Sequence, residues 1–367
     1  MRELLVPLEK PHPDIERFVR VIKREEIPEK PPFVELSMDR EIRRYISEHF
    51  LGIKWVEPEP NDKESQEKYY LNYIQFWYRL GYDYVRLTGG LNFPSKVKTT
   101  KDTALLKREK RTWTEEGTGI ISSWEDFENY PWESVEEGDL WYYEFTSENL
   151  PPGMGLFVCP SSGILEKVVN YLLGYENLCY LLYDEPSLVK EVFDRVGRSI
   201  YNFYRRIIGL PRLVGFFQGD DMGFKTSTLI SPSDLKKYVL PWHKKIAELA
   251  HEHNLLYILH ACGNLEPVME DLIEEVKIDA KHSFEDEIMP VTEFKKKYGK
   301  RIAVLGGVDV DKLTRLKEKD LRIYVRKILD DCMPEGGYAL GSGNSIANYI
   351  PVENFLIMLD EGLRWNG

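Results

Sequence analysis

The sequence predicts a (β/α)8 barrel of the TIM type, an α/β fold, with an N-terminal helical extension and a long insertion. Three observations carry that reading. Eight short apolar runs, beginning at Phe33, Tyr82, Gly155, Leu213, Leu256, Ile278, Ile302 and Gly337, have the length and polar flanks of buried strands. From Gly155 onward these runs alternate with helical patterns, the rhythm of a parallel sheet covered by helices. The 367 residues accommodate the ~250 of such a barrel with room for insertions. A doubly wound open sheet is the competing architecture, but no GxGxxG follows the first strand to support dinucleotide binding. The chain, 1–367, therefore reads as one domain.

Taken in order, Pro11, Pro13, Pro28, Pro31 and Pro32 punctuate the start, with a helical stripe of Ile15, Phe18, Val19 and Ile22 between them. Residues 33–36 form the first strand run. Helices are expected over 40–50 and 65–80, the second with Tyr69, Tyr73, Phe76 and Trp77 on one face. Residues 82–87 are the second strand. The stretch 91–149 is loop-like and gathers Lys96, Lys98, Lys101, Lys107, Arg108 and Lys110; so long an irregular segment is expected to form a small hairpin or to cover a site, an insertion serving as a lid over the barrel mouth. After the strand at 155–159, a long helix is expected to begin near Asp184 and Pro186, a cap followed by an early proline, with Leu188, Val189, Val192, Phe193 and Val196 among its apolar positions. Ser231-Pro232 opens another helix, and Pro241 inside it is expected to kink or split it.

Composition bounds the function. With 43% hydrophobic residues the chain fills a substantial core, and 49 basic against 61 acidic residues leave a formal net charge of −12. That balance argues against nucleic acid or an anionic membrane as the main partner. No apolar run approaches the ~18–20 residues that cross a bilayer and the start lacks a leader's apolar stretch, so a cytoplasmic location is expected. Cys159, Cys179, Cys262 and Cys332 are widely spaced and form neither a disulfide framework nor a CxxC motif.

In a barrel, chemistry collects at the carboxyl ends of the strands. The run at 255–259 ends in His260, Cys262 and Gly263, and residues two apart on a strand face one side, so an imidazole and a thiol emerge together as candidate metal ligands suited to Zn²⁺. A small core cysteine beside a hydrogen-bonded histidine would give the same letters. The other ends deliver Glu35, the pair Asp220 and Asp221, His282 with Glu285 and Asp286, Gly306-Gly-Val-Asp309, and Gly341-Ser-Gly-Asn-Ser345. Adjacent acids cannot both point inward, so one of Asp220 and Asp221 is a candidate proton carrier and either is a candidate helix cap. Gly306 and Gly307 suit a backbone that approaches a ligand closely, or a plain turn. His12, His49, His243, His251 and His253 lie away from strand ends and are left out of the site; Cys159 ends a strand and is a candidate for lining the mouth.

Gly81-Tyr-Asp-Tyr84, Ile121-Ser-Ser-Trp-Glu-Asp-Phe127 with Tyr130-Pro-Trp132, Gly219-Asp-Asp-Met-Gly223, Leu229-Ile-Ser-Pro232, Leu240-Pro-Trp242, His260-Ala-Cys-Gly263, Gly306-Gly-Val-Asp309 and Pro351-Val-Glu-Asn354 follow one another through nearly the whole chain. Their order and spacing resemble the uroporphyrinogen decarboxylase superfamily, including its cobalamin-dependent, zinc-containing methyltransferase branch. The resemblance implies a (β/α)8 barrel. Decarboxylases of the family carry an Arg-Gln-Ala-Gly-Arg segment whose arginines hold the acid arms of a tetrapyrrole; the region Glu35-Leu-Ser-Met-Asp39 has no such motif. In the methyltransferase branch a His-x-Cys pair and a cysteine near the last strand hold Zn²⁺. His260 and Cys262 match the pair, while the cysteine position falls at about Asn344, which leaves Glu35, Asp309 or water to complete the metal.

The resemblance thus implies a zinc-dependent methyltransferase that exchanges a methyl group between a small molecule and a corrinoid (cobalamin). The chain lacks an Asp-x-His-x-x-Gly signature, so the corrinoid is expected on a separate partner protein. In this reading Asp220, Asp221 and His282 are catalytic, and Glu35, Gly306, Gly307, Asp309 and Asn344 face the substrate. The alternatives are a metal-free tetrapyrrole decarboxylase and an inactive corrinoid- or tetrapyrrole-binding accessory protein.

Overall fold

Alternate residues of seven parallel strands turn toward a common interior in the computed structural model, which describes residues 3–95, 97–100, 106, 111–114 and 119–366. The strands are hydrogen-bonded in the order β1 (Tyr84–Thr88), β4 (Gly155–Cys159), β5 (Leu213–Gly219), β6 (Leu256–His260), β7 (Ala280–His282), β8 (Ala303–Leu305) and β9 (Tyr338–Ala339). Tyr84, Phe157, Phe217, Ile258, Ala280, Ala303 and Ala339 share the inner cluster, while Val85, Val158, Phe216, Tyr257, Val304 and Tyr338 pack into the larger core beneath the helices. That division is the period of two that a pleated strand imposes. Phe18 and Ile22 of the first helix, Ile15–Ile22, enter the inner cluster too, and Asp14 caps that helix through Arg17 N–H at 2.9 Å.

Seven of the eight expected strands form the ladder, and the eighth is incomplete. The run at 33–36 joins β9 through a parallel bridge between Phe33 and Leu340, with Val34 N–H donating to the Leu340 carbonyl at 2.9 Å. Toward β1, side chains take the place of the ladder: the Tyr84 hydroxyl accepts from Glu35 N–H and donates to its carbonyl, each at 3.0 Å, and Arg86 Nη1 donates to the Leu36 carbonyl at 2.9 Å. The sheet is therefore a curled, all-parallel half-barrel whose closing seam is made by side chains.

The insertion contains the hairpin that was one of its two expected forms, and short helices besides. It holds an antiparallel pair, β2 (Val97–Thr100) and β3 (Arg111–Thr114), and short helices at Trp124–Asn129, Trp132–Val135 and Trp141–Asn149. Tyr143 donates to the Gly89 carbonyl at 2.7 Å, which sets the last of these helices on the carboxyl ends of β1 and β4. Asn348 Nδ2 donates to the Leu106 carbonyl at 3.0 Å, a tie to the loop after β9. Of the basic cluster, Lys96, Lys101, Lys107, Arg108 and Lys110 lie outside the described residues, and the Lys98 side chain is likewise not described. Pro241 splits its helix as expected: the turn Leu235–Val239 widens to π geometry just before Leu240–Glu252 begins, which accommodates the missing N–H. Among the described residues no helix is long and apolar enough to cross a membrane.

Candidate functional site

The loops after β5 and β6 are laced together, and the lacing builds the site. Asp220 N–H donates to the His260 carbonyl at 2.8 Å, Gly223 N–H to the Cys262 carbonyl at 3.1 Å, and Asn264 N–H to the Phe224 carbonyl at 2.8 Å. Gly263, at φ +83, lets the two backbones cross where any Cβ would strike Gly223. Cys262 N–H then donates to Asp221 Oδ1 at 2.9 Å. This brings a carboxylate, an imidazole and a thiol together: His260 Nε2 lies 3.5 Å from Cys262 Sγ and 3.5 Å from Asp221 Oδ1, and all three donor atoms fall within 4.8 Å of one another.

These separations suit a single small cation. Bond lengths of ~2.0–2.3 Å to O, N and S in a tetrahedral site imply donor-to-donor edges of roughly 3.3–3.5 Å, and the O, N, S set is one that Zn²⁺ accepts. The third donor is Asp221, where the sequence left Glu35, Asp309 or water, and its side chain is 38% exposed, open to the mouth.

A second row fixes the imidazole. His260 Nδ1 and His282 Nδ1 are 2.7 Å apart, so one of them carries the proton and the other accepts it. If His260 Nε2 is to face a cation, His260 holds its proton on Nδ1 and gives it to His282, whose own proton then lies on the buried Nε2. Burial holds His260 well below the usual histidine range, with His282 as the next cause, and burial followed by Lys281 pushes His282 down to about 3. Both rings are neutral at pH 7. His282 thus stands behind the donor set.

Burial pushes the Cys262 thiol up, with Asp221 adding to the rise, so without a cation it stays protonated. Asn344 Nδ2 donates to Cys262 Sγ at 3.2 Å, and Ser283 Oγ lies 3.4 Å from the same sulfur. Asn344 is therefore beside the donor set as a hydrogen-bond donor.

Other expected site residues are engaged elsewhere. Asp220, read as catalytic or else as a helix cap, is a cap: its carboxylate turns back to the helix Ile164–Lys167, accepting from the N–H groups of Ile164, Leu165 and Glu166 at 3.0, 3.2 and 3.0 Å, and binds His243 Nε2 at 2.8 Å. Glu35 was expected to face substrate; it is buried and accepts from Ser342 N–H at 2.9 Å, with Ser342 Oγ at 2.6 Å from its other oxygen. Gly306 and Gly307, at φ +76 and +100, answer to packing: a Cβ would collide with the Ser342 carbonyl at the first and with Val291 at the second. Asp309 caps the helix Val310–Arg315 through Lys312 N–H at 3.1 Å and accepts from Asp286 N–H at 2.9 Å. Cys159 donates to the Ser161 carbonyl at 2.8 Å.

Three polar residues near the site gave no strand-end signal. Lys281 is buried, donates to the Ser283 carbonyl at 2.5 Å and is pushed down to about 8 by burial. Glu166 is pushed up to about 7 by burial and then by Asp221. Arg86 spans the interior to the Phe217 carbonyl at 2.9 Å and lowers both histidines. Their common signal is a charged residue inside an apolar run or at the first turn of a helix.

The family model described as uroporphyrinogen decarboxylase (URO-D) matches residues 167–364, more than half of the chain, a span containing Asp221, His260, Cys262 and Asn344. The solved structure of a methyltransferase from Methanosarcina mazei superimposes with a TM-score of 0.67 at 15% identity, over 96% of this chain and 99% of that one, a likeness of fold. The crystal structure of xylanase B from Clostridium stercorarium F9 aligns with a TM-score of 0.35 at 11% identity, over 62% of this chain and 76% of that one, too weak to carry an argument. No curated protein matches the chain.

Proposed function

We propose that this chain, which belongs to the uroporphyrinogen decarboxylase family, is a metal-dependent methyltransferase that exchanges a methyl group between a small substrate and a corrinoid carried by another protein in the cytoplasm. In this reading the half-barrel and the run at 33–36 together are a (β/α)8 barrel, with 91–149 as a cover over its mouth. The observation that carries the proposal is the convergence of Asp221, His260 and Cys262 within 4.8 Å at the carboxyl end of the sheet. The fold shared with a methyltransferase supports the reaction class. A bound Zn²⁺ would lower the pKa of a coordinated thiol or water and so supply a nucleophile near neutral pH.

The chain's own residues do the rest. With the shared proton on His260 Nδ1, His282 accepts it and leaves His260 Nε2 free to bind. Cys262 N–H holds Asp221 in register. The buried Lys281 ammonium beside Asp221 and Cys262 offsets anionic charge that would otherwise accumulate out of water.

A tetrapyrrole decarboxylase fits less well. The cleft beside Asn344, about 560 Å³, is lined by Glu285, Asp286, Glu287, Asp309 and Asp311, with Lys312 the one cation among its described lining residues. Such a lining repels a substrate bearing several carboxylates. The test is metal analysis of the purified protein together with methyl transfer from methylcobalamin to small thiols, followed by corrinoid absorbance. Stoichiometric zinc lost in both Cys262→Ser and Asp221→Ala, with turnover in the parent, supports the proposal. Metal-free protein that binds porphyrin tightly would favour the decarboxylase, and corrinoid binding without turnover the accessory role.

A further inference from the structure

We infer that Asn344 is a positioning residue that blunts the Cys262 sulfur, so that an electrophilic methyl group goes to the substrate and Cys262 remains a spectator. The inference rests on the metal reading above, and its argument is geometric. Three groups converge on Cys262 Sγ: His260 Nε2 at 3.5 Å, Asn344 Nδ2 at 3.2 Å and Ser283 Oγ at 3.4 Å. His260 Nε2 and Cys262 Sγ would both hold a bound cation. The sulfur's remaining lone pairs then meet the Asn344 amide and the Ser283 hydroxyl.

The amide cannot turn away. Ser345 N–H donates to Asn344 Oδ1 at 2.8 Å, which commits the oxygen end and leaves the NH₂ end on the sulfur. The loop is anchored in turn: Ser342 Oγ is 2.5 Å from the Asn344 carbonyl, and Ser342 N–H donates to buried Glu35 at 2.9 Å. A donor so fixed draws electron density from a thiolate, and such outer hydrogen bonds change a ligand's basicity without touching the metal. A site that handles methyl electrophiles needs this protection, since a metal-bound thiolate is itself a nucleophile. Asn344 thus holds a fixed donor on the one sulfur of the donor set.

The test uses the full chain loaded with one equivalent of Co²⁺, whose sulfur-to-metal charge-transfer absorption reports the ligated thiolate, and methyl iodide as the electrophile. An S–CH₃ bond forms at Cys262 as the C–I bond breaks and iodide leaves with its electron pair; peptide mass analysis locates the methyl group. Asn344→Leu keeps the side chain's bulk and removes its donor, whereas Asn344→Ala also opens space. We expect Asn344→Leu to shift the charge-transfer band to lower energy and to raise the rate of Cys262 methylation on the order of tenfold, the effect of losing one hydrogen bond to a charged group. If Asn344→Leu leaves both band and rate as in the parent, the inference fails, even if Asn344→Ala reacts faster, because access alone then explains the change. Absence of the band in the parent protein overturns the metal reading and this inference with it; a band that Asn344→Leu does not move overturns this inference alone.

Discussion

Glu35 should make the protein less stable as the pH rises, and replacing it by glutamine should remove that dependence. Burial pushes this carboxyl up to about 8 from its ordinary value of 4.5, against the lowering effect of Ser342. The hydrogen-bond geometry agrees. Ser342 Oγ lies 2.6 Å from Glu35 Oε2 and 2.5 Å from the Asn344 carbonyl, yet it has one proton to give. A protonated Glu35 resolves this by donating to Ser342, which donates to Asn344. The sign follows from linkage: a folded-state pKa above the unfolded one means the native state holds the proton more tightly. The associated stability is full below pH 4.5 and is lost as pH rises through 8. Between pH 5 and pH 9 the loss amounts to about 4 kcal/mol, at ~1.4 kcal/mol per unit over the interval where only the unfolded chain ionises. Glutamine keeps the shape and an N–H for Ser342 but does not titrate. The assay is urea unfolding of the parent and Glu35→Gln across pH 5 to 9, where the difference between the two isolates this group. The parent should lose ground steadily to the variant above pH 5; parallel curves would refute a buried neutral carboxyl.

Asp220→Ala should cost about 3 kcal/mol or more by stranding buried N–H groups at the start of the helix Ile164–Lys167 together with His243, while leaving Co²⁺ uptake intact; loss of uptake at unchanged stability would return Asp220 to the site. Gly306→Ala should cost roughly 1–2 kcal/mol for the left-handed backbone alone, and its Cβ would also displace Ser342 and His282, so both the unfolding midpoint and the Co²⁺ spectrum should move. Metal uptake should release about one proton at pH 7, since Cys262 is held protonated by burial and both rings are neutral, and affinity should rise with pH up to tenfold per unit. Calorimetry in two buffers of different ionisation enthalpy counts that proton; zero would exclude Cys262 as a ligand.

The strand-end rule made much of the site legible. Period two placed His260 and Cys262 together, and the Asp220-Asp221 pair was recognised as one in which a single member faces inward. Which member does so was not legible, because it depends on the helix Ile164–Lys167 presenting three N–H groups to Asp220, a contact between residues more than fifty positions apart. The eighth strand is legible only in part for a related reason. Apolar composition marks residues 33–36 as buried, but whether a buried run pairs by backbone or is met by the Tyr84 hydroxyl and Arg86 is settled by its neighbour's side chains. The glycines of Gly306-Gly307 are ambiguous in the sequence between ligand approach and packing, and it takes the positions of Ser342 and His282 at the first and of Val291 at the second to decide it.

The last loop explains why two histidines and an asparagine belong to one device. Ser342 uses its N–H and hydroxyl on Glu35 and the Asn344 carbonyl, so that Asn344 reaches Cys262. Its carbonyl lies on the Nε2 side of His282, whose Nδ1 meets His260. The same loop thus fixes the hydrogen bond at the sulfur donor and lies against the imidazole that backs the nitrogen donor. Both arms run through groups held neutral by burial, Glu35 at one end and His282 at the other, so the only charge the device must accept is at the donor atoms themselves. A cation arriving at Asp221, His260 and Cys262 meets one fixed carboxylate and one displaceable thiol proton. Loss of that proton gives the divalent ion two anionic donors, Asp221 and the Cys262 thiolate, while the Lys281 ammonium balances Asp221 when no ion is bound.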